Sequence, residues 1–367
     1  ILFENDGAGK FKDVTQRSRL GYRGHSSGAV FFDYDRDGLL DLFLTNVGQY
    51  TTEQLRPMTV EPTGNSYESG AYSFYDGFSD AFTGHLISER AESSILFRNL
   101  GENRFLDVTE DTGLAGTSWS GDASPIDVNR DDWSDLYVLD MQGNDKYYEN
   151  VNGEYFVERD NIFPNSPWGA MGIKAFDYDN DGDMDVFITD MHSDMSEDIG
   201  PRREKLKARV EWTESFLLSG GLSIFGNAFY ENLGDGRFEE VSDQIGAENY
   251  WPWGLSVADL NADGFDDVFI TASMNYPFRY GVNTVLLNNR GEKFLDSEFI
   301  LGVEPRPGWQ TSTPWFEVDC SGDDQPHHDC VNGDLIGQNT VWGALGSRSS
   351  VIFDLDGDGD VDIVTND

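Results

Sequence analysis

The chain has 367 residues, 38% of them hydrophobic, enough to bury a sizeable core in one large domain or two modest ones. Its 67 acidic residues against 25 basic ones give a formal charge of −42, which repels nucleic acid and anionic membranes, since phosphate binding needs clustered Lys and Arg. No apolar run approaches the roughly 20 residues that cross a bilayer, and no charged-then-apolar leader opens the sequence.

Taken in chain order, two kinds of segment alternate. "ILFENDGAGKFKDVT" over 1–15 is an apolar run, an Asn, a Gly-rich turn and a second alternating run, the pattern of a β-hairpin. Because Ile1-Leu2-Phe3 already has strand character, a segment upstream of it is expected. The second kind follows: "GAVFF" leads into "DYDRDGLLDLFLTN" from Asp33, an acidic turn between two strand-like runs. The first kind then recurs at 95–109, 147–159, 229–242 and 285–297, and the acidic kind as "DVNRDDWSDLYVLD" from Asp127, "DYDNDGDMDVFITD" from Asp177, "DLNADGFDDVFITA" from Asp259 and "DLDGDGDVDIVTND" from Asp354. Paired hairpins make units of four short antiparallel strands. Repeated around an axis they predict an all-β chain folded as a β-propeller. Blades are expected at about 25–110, 120–160, 169–242 and 253–298, with a fifth formed by joining 343–367 to 1–15; seven blades is the alternative. The whole chain, 1–367, is then one domain. Helical period is confined to "PRREKLKARVEW", 201–212.

The acidity is therefore clustered, and its spacing suits a hard cation. Calcium takes six to eight oxygens, and a loop of the form D-x-[DN]-x-D-[GD]-x-x-D can supply side chains from positions 1, 3, 5 and 9 and a carbonyl from position 7. The five sets are Asp33, Asp35, Asp37, Asp41 with Leu39; Asp127, Asn129, Asp131, Asp135 with Trp133; Asp177, Asp179, Asp181, Asp185 with Asp183; Asp259, Asn261, Asp263, Asp267 with Phe265; and Asp354, Asp356, Asp358, Asp362 with Asp360. Four to five calcium ions are expected, since the second loop carries Asp132 where a glycine would ease the sharp turn. An EF-hand is excluded. It needs Glu at position 12 and a following helix, whereas position 12 here is Leu44, Val138, Ile188, Ile270 or Thr365 within strand-like runs.

These paired elements resemble the FG-GAP/VCBS calcium repeats, and in particular the cartilage acidic protein-like group, whose chains usually end in an ASPIC/UnbV domain. The sequence stops where that domain would be expected to begin. The resemblance covers most of the chain outside three inserts and implies a calcium-bound propeller of secreted or cell-surface proteins. It implies no settled biochemical activity.

The inserts are 47–94, 191–227 and 299–342. In a meander blade all three emerge on the face opposite the acidic loops, and long loops gathered on one face of a rigid scaffold are where binding usually lives. The first is rich in aromatics (Tyr67, Tyr72, Phe74, Tyr75, Phe78, Phe82), suited to stacking on sugars, to packing on a protein, or to packing among themselves. The second holds Arg202, Arg203, Lys205, Lys207 and Arg209, either pinned to the chain's own acidic surface or free for an acidic partner. The third holds Cys320 and Cys330 around one polar loop with His327 and His328; a local disulfide is expected, hence an extracellular, periplasmic or cell-surface setting. Trp119, Trp168, Trp251, Trp253 and Trp342 precede the acidic elements, a recurrence that predicts wedge packing between blades. Three functions fit: an interaction module for protein or glycan through the insert-bearing face, a polysaccharide lyase or hydrolase, or a structural subunit of an extracellular or membrane-attached assembly. No H-E-x-x-H or Walker motif occurs, and no carboxylate pair stands out from the acidic residues as catalytic.

Overall fold

A computed structural model describes residues 1–49, 90–141, 143–160, 162–191, 193, 223–224, 226–234, 236–273, 280–327, 330–331 and 335–366. They form four four-stranded antiparallel sheets whose strands follow one another in chain order. The first comprises Ser26–Phe32, Asp41–Asn46, Ile95–Asn99 and Phe105–Asp107; the second Ala123–Ile126, Asp135–Val138, Lys146–Val151 and Tyr155–Glu158. The third comprises Ala170–Phe176, Asp185–Asp190, Ala228–Asn232 and Phe238–Glu240; the fourth Pro252–Ala258, Asp267–Ala272, Thr284–Asn288 and Phe294–Asp296. These are the four blades that the repeat predicts, in a ring-like arrangement resembling a β-propeller.

The second strand of each blade is a continuous apolar run because it has no solvent face. "DVFITD" over 185–190 and "DVFITA" over 267–272 are buried at every residue, the burial expected of a strand covered on both sides. Consecutive blades provide that cover. One apolar cluster joins Phe32, Phe43 and Leu96 of the first blade to Leu136 and Phe156 of the second. Another joins Tyr137 and Tyr147 of the second to Ile173, Ile188 and Tyr230 of the third, and a third joins Phe187 and Phe229 to Val268, Leu286 and Phe294. The core is thus a series of layers between blades.

Along the first strands the blades meet backbone to backbone at glycines. A Cβ on Gly172 would lie 2.9 Å from Trp253 O, and one on Gly254 would lie 3.0 Å from Arg348 O; only glycine permits so close an approach. Hydroxyls tie the same seam: Ser27 Oγ donates to Ser120 O at 2.5 Å, and Ser256 Oγ to Ser350 O at 3.0 Å. Trp119 and Trp168 are fully buried as wedge packing requires, whereas Trp342 is exposed on a hairpin.

The two ends of the chain form Phe3–Asn5 with Phe11–Asp13, and Ser349–Phe353 with Asp362–Asn366. The expected fifth blade would unite them, yet they remain separate two-stranded sheets. Each leans on a different neighbour: Leu2 packs on the first blade with Leu42 and Phe97, and the C-terminal pair meets the fourth blade through Ser256 and Ser350. Their apolar residues consequently stay open to solvent, with Phe3 and Phe11 at 55% and 64% exposure against 7% and 4% for the equivalent Phe97 and Phe105.

Chain direction fixes which end of the blades each connection leaves from. The acidic loops join first to second strands. Inserts 47–94 and 191–227 join second to third strands, and 299–342 follows a fourth strand, so all three leave the opposite end. The aromatic run of the first insert, from Tyr67 to Phe82, lies outside the described residues, as do the basic cluster Arg202 to Arg209 and the helix expected over 201–212. The third insert is more ordered than a plain loop. It begins in the short helix Glu298–Leu301 and builds an antiparallel hairpin of Ser312–Asp319 with Gln338–Ala344, whose tip carries the expected Cys320–Cys330 disulfide. His327 rests edge-on against Phe316, and His328 lies outside the described residues.

Candidate metal centre

All five acidic loops fold through one hydrogen-bond scheme. The position-1 Asp accepts the N–H of position 5 on one oxygen and of position 6 on the other: in the third loop Asp177 takes Asp181 N at 3.1 Å and Gly182 N at 3.0 Å. Position 5 accepts the N–H of position 7, as Asp181 Oδ1 does from Asp183 N at 2.8 Å. The position-1 bonds recur from Asp33, Asp127, Asp259 and Asp354. Asp and Asn side chains fold short loops in this way by offering the backbone a local acceptor. Positions 4 and 6 take positive φ throughout, at 58° and 86° for Arg36 and Gly38, and at 58° and 69° for Arg130 and Asp132. Asp132 therefore holds the same turn as its glycine counterparts, at the steric cost of a Cβ in the left-handed region.

This scheme draws carboxylates together. Oxygens of Asp33, Asp35 and Asp37 lie within 4.8 Å of one another, as do those of Asp177, Asp179 and Asp185, and those of Asp354, Asp356 and Asp362. Asp35 Oδ2 is buried and receives no hydrogen bond, although Arg98 Nη2 lies 2.7 Å away. Carboxylate oxygens set this closely are a donor set that fits a hard divalent cation. The fourth loop brings Asp259, Asn261, Asp263 and Asp267 into the same turn, with Asn261 Oδ1 accepting Asp263 N at 2.9 Å. Leu39, Trp133, Asp183, Phe265 and Asp360 occupy position 7 of the five turns.

The ninth position does more than close the loop. Asp41, Asp135, Asp185 and Asp267 are all buried. One oxygen of each accepts the position-2 amide of its own loop: Tyr34 N at 3.2 Å, Val128 N at 3.3 Å, Tyr178 N at 3.1 Å and Leu260 N at 2.9 Å. The other accepts the amide of an Asn on the third strand: Asn99 at 2.7 Å, Asn150 at 2.7 Å, Asn232 at 2.8 Å and Asn288 at 2.7 Å. Those Asn side chains return the bond by donating Nδ2 to Leu40 O, Ser134 O, Met184 O and Asp266 O. Burial pushes Asp41 and Asp135 up to about 6 and Asp185 up to about 7, against the backbone amides that lower them. The sequence pattern shows this Asn in every copy of the other hairpin, where its turn role also holds: Asn99 Oδ1 accepts Gly101 N at 2.9 Å. Its bond to the acidic loop links residues 58 apart and leaves no local signature.

The second loop differs in chemistry as well as in Asp132. Tyr147 Oη donates to Asp135 Oδ2, and Asn129 Nδ2 donates to Asp131 Oδ2 at 3.0 Å. Two protons there occupy oxygens that the other loops leave open. Neighbouring loops also touch: Arg36 stacks 5.3 Å from the Trp133 ring, Arg130 pairs with Asp183, and Asn180 Nδ2 donates to Gly264 O at 2.9 Å.

Residues 127–188 and 217–270 match the family described as an FG-GAP-like repeat, a span that includes the second, third and fourth acidic loops. No curated protein matches the chain. Among solved structures, the chain is similar to Bacillus licheniformis rhamnogalacturonan lyase PL11, with 14% identity and a TM-score of 0.30 over 93% of this chain and 58% of that one. A likeness at that TM-score carries no argument about activity.

Asn288→Ala removes the side-chain bonds to Tyr178 O and Asp266 O and leaves buried carbonyls without donors. It is expected to cost about 2–4 kcal/mol of unfolding free energy, measured as a lower urea midpoint at unchanged m-value.

Proposed function

We propose that the chain is a calcium-stabilised β-propeller of the extracellular, periplasmic or cell-surface space that serves as an interaction module for a protein or glycan. The observation that carries this reading is the recurrence of one acidic loop in five copies, three of which bring oxygens of three carboxylates within 4.8 Å. Without a cation each such loop crowds like charges, and buried ones above all are costly. Calcium bound at the first, third, fourth and fifth loops removes that repulsion, with positions 1, 3, 5 and 9 and the position-7 carbonyl as the ligand set. The second loop, closed by Tyr147 and Asn129, stays without an ion. The FG-GAP-like match supports the interaction role, and the Cys320–Cys330 disulfide supports the oxidising compartment. The cartilage acidic protein-like grouping rests on sequence motifs alone.

Binding is assigned to the insert-bearing end because that is where long connections gather. Excess chelator is expected to lower the melting temperature by about 10 °C or more, reversibly on adding calcium; an unchanged melting curve contradicts the structural calcium. Incubating the purified chain with glycan and extracellular-protein arrays tests the module reading. Retention of a partner without turnover supports it, and cleavage of any polysaccharide overturns it in favour of a lyase or hydrolase.

We further propose that the two end hairpins close a fifth blade in the register of the complete ones, where Leu42, Phe43 and Leu44 face Phe97, Leu96 and Ile95. By that register Thr365 faces Ile1. The double variant Ile1→Cys with Thr365→Cys should then form an intramolecular disulfide detectable by mass spectrometry under mild oxidation; recovery of both thiols free contradicts closure.

A further inference from the structure

The residue preceding the third-strand Asn is not the same in every blade, and in two of them it brings a charge to the acidic loop. It is Glu149 in the second, Glu231 in the third and Leu287 in the fourth, with Glu4 in the N-terminal hairpin; in the first it is Arg98. Glu231 lies within electrostatic reach of Asp179 and Asp181 and adds one negative charge to the four side-chain ligands of the third loop, while Arg130 pairs with the loop's fifth aspartate, Asp183. Glu149 is neutralised by Arg159 through bonds of 2.9 Å and 3.1 Å. Arg98 does the reverse of Glu231. Its Nη2 lies 2.7 Å from Asp35 Oδ2 and 3.7 Å from Asp37 Oδ2, inside the carboxylate set of the first loop.

We propose that Arg98 is a tethered counter-cation that competes with the divalent ion at the first loop, making this the weak, exchangeable site among the loops that bind. This role rests on the calcium binding proposed for the loops and grades occupancy among them. A guanidinium is always charged and cannot be neutralised to make way, so an incoming ion must displace it from Asp35. Displacement is feasible because the Arg98 side chain is 43% exposed and can swing into water, while Asp35, at 10%, stays in place. The first loop thus exchanges one cation for another. In the third loop Glu231 stands at the equivalent position and Arg130 reaches only the position-7 Asp183, outside the side chains of positions 1, 3, 5 and 9, so that loop holds its ion more tightly.

The geometry supplies its own reporter. A Cβ on Gly153 would lie 2.5 Å from the Trp133 ring and 2.9 Å from Asp35 Cα, so this indole adjoins the first loop. Terbium, a calcium surrogate, is sensitised by a nearby indole and can be read there by exciting tryptophan selectively. For Arg98→Ala the midpoint of terbium luminescence is expected at about tenfold lower concentration than in the unsubstituted chain, the effect of one unit charge at this separation after partial screening by water. Arg98→Gln should behave the same way and guards against loss of packing, Arg98→Lys should keep the weak midpoint, and Trp133→Phe should remove the signal. Calcium calorimetry on the same proteins reports the remaining loops. Unchanged midpoints in both neutral variants, with calorimetric calcium binding intact, overturn the role of Arg98 and leave the calcium reading standing. Absence of any calcium binding in all the proteins overturns both.

Discussion

The structure depends on one buried carboxylate per complete blade. Asp41, Asp135, Asp185 and Asp267 each accept one amide from their own acidic loop and one from the third strand. A charged acceptor with two backbone donors is the strong class of hydrogen bond, and here it spans the two hairpins that make up a blade. The cost is burial of the charge, visible in the upward push on the carboxyl groups of Asp41, Asp135 and Asp185. Two amides offset part of that cost. In the second blade the Tyr147 hydroxyl offsets more, and in the other loops a divalent cation would do the same for the whole cluster.

This brace organises the rest of the architecture. It anchors the start of the second strand, the one buried through its full length in the third and fourth blades, and so sets where the apolar layers between blades begin. It also collects the acidic turns and the tight Gly-containing turns at one end. The opposite end is left to the long connections. The blades therefore separate two tasks: ordering of the scaffold at the acidic end, and variation in length and composition at the other.

Much of this was legible in the sequence because the repeat is local. The acidic turn, the apolar run after it and the Asn-Gly hairpin each declare themselves within about fifteen residues, and four blades form where the pattern puts them. What was not legible depends on contacts between distant residues. The Asn motif announced a turn but not its second bond to the acidic loop. Asp132 marked the second loop as unusual, whereas the stronger difference, Tyr147, lies on the next hairpin. Arg98 is one basic residue in a strand until the fold sets it against Asp35. The third insert has no period that stands out from its Gly and Pro content, yet it pairs into a hairpin over residues 312–344. Trp342 shares its sequence position with the buried tryptophans but belongs to that hairpin and is exposed.

Whether the acidic loops are cation sites of unequal kind can be read from native mass spectrometry of the chain desalted into a volatile buffer with micromolar calcium. At most four calcium ions are expected, with the fourth lost first as calcium is lowered. A chain that carries no calcium, or that carries five ions lost in a single step, would contradict this grading of the loops.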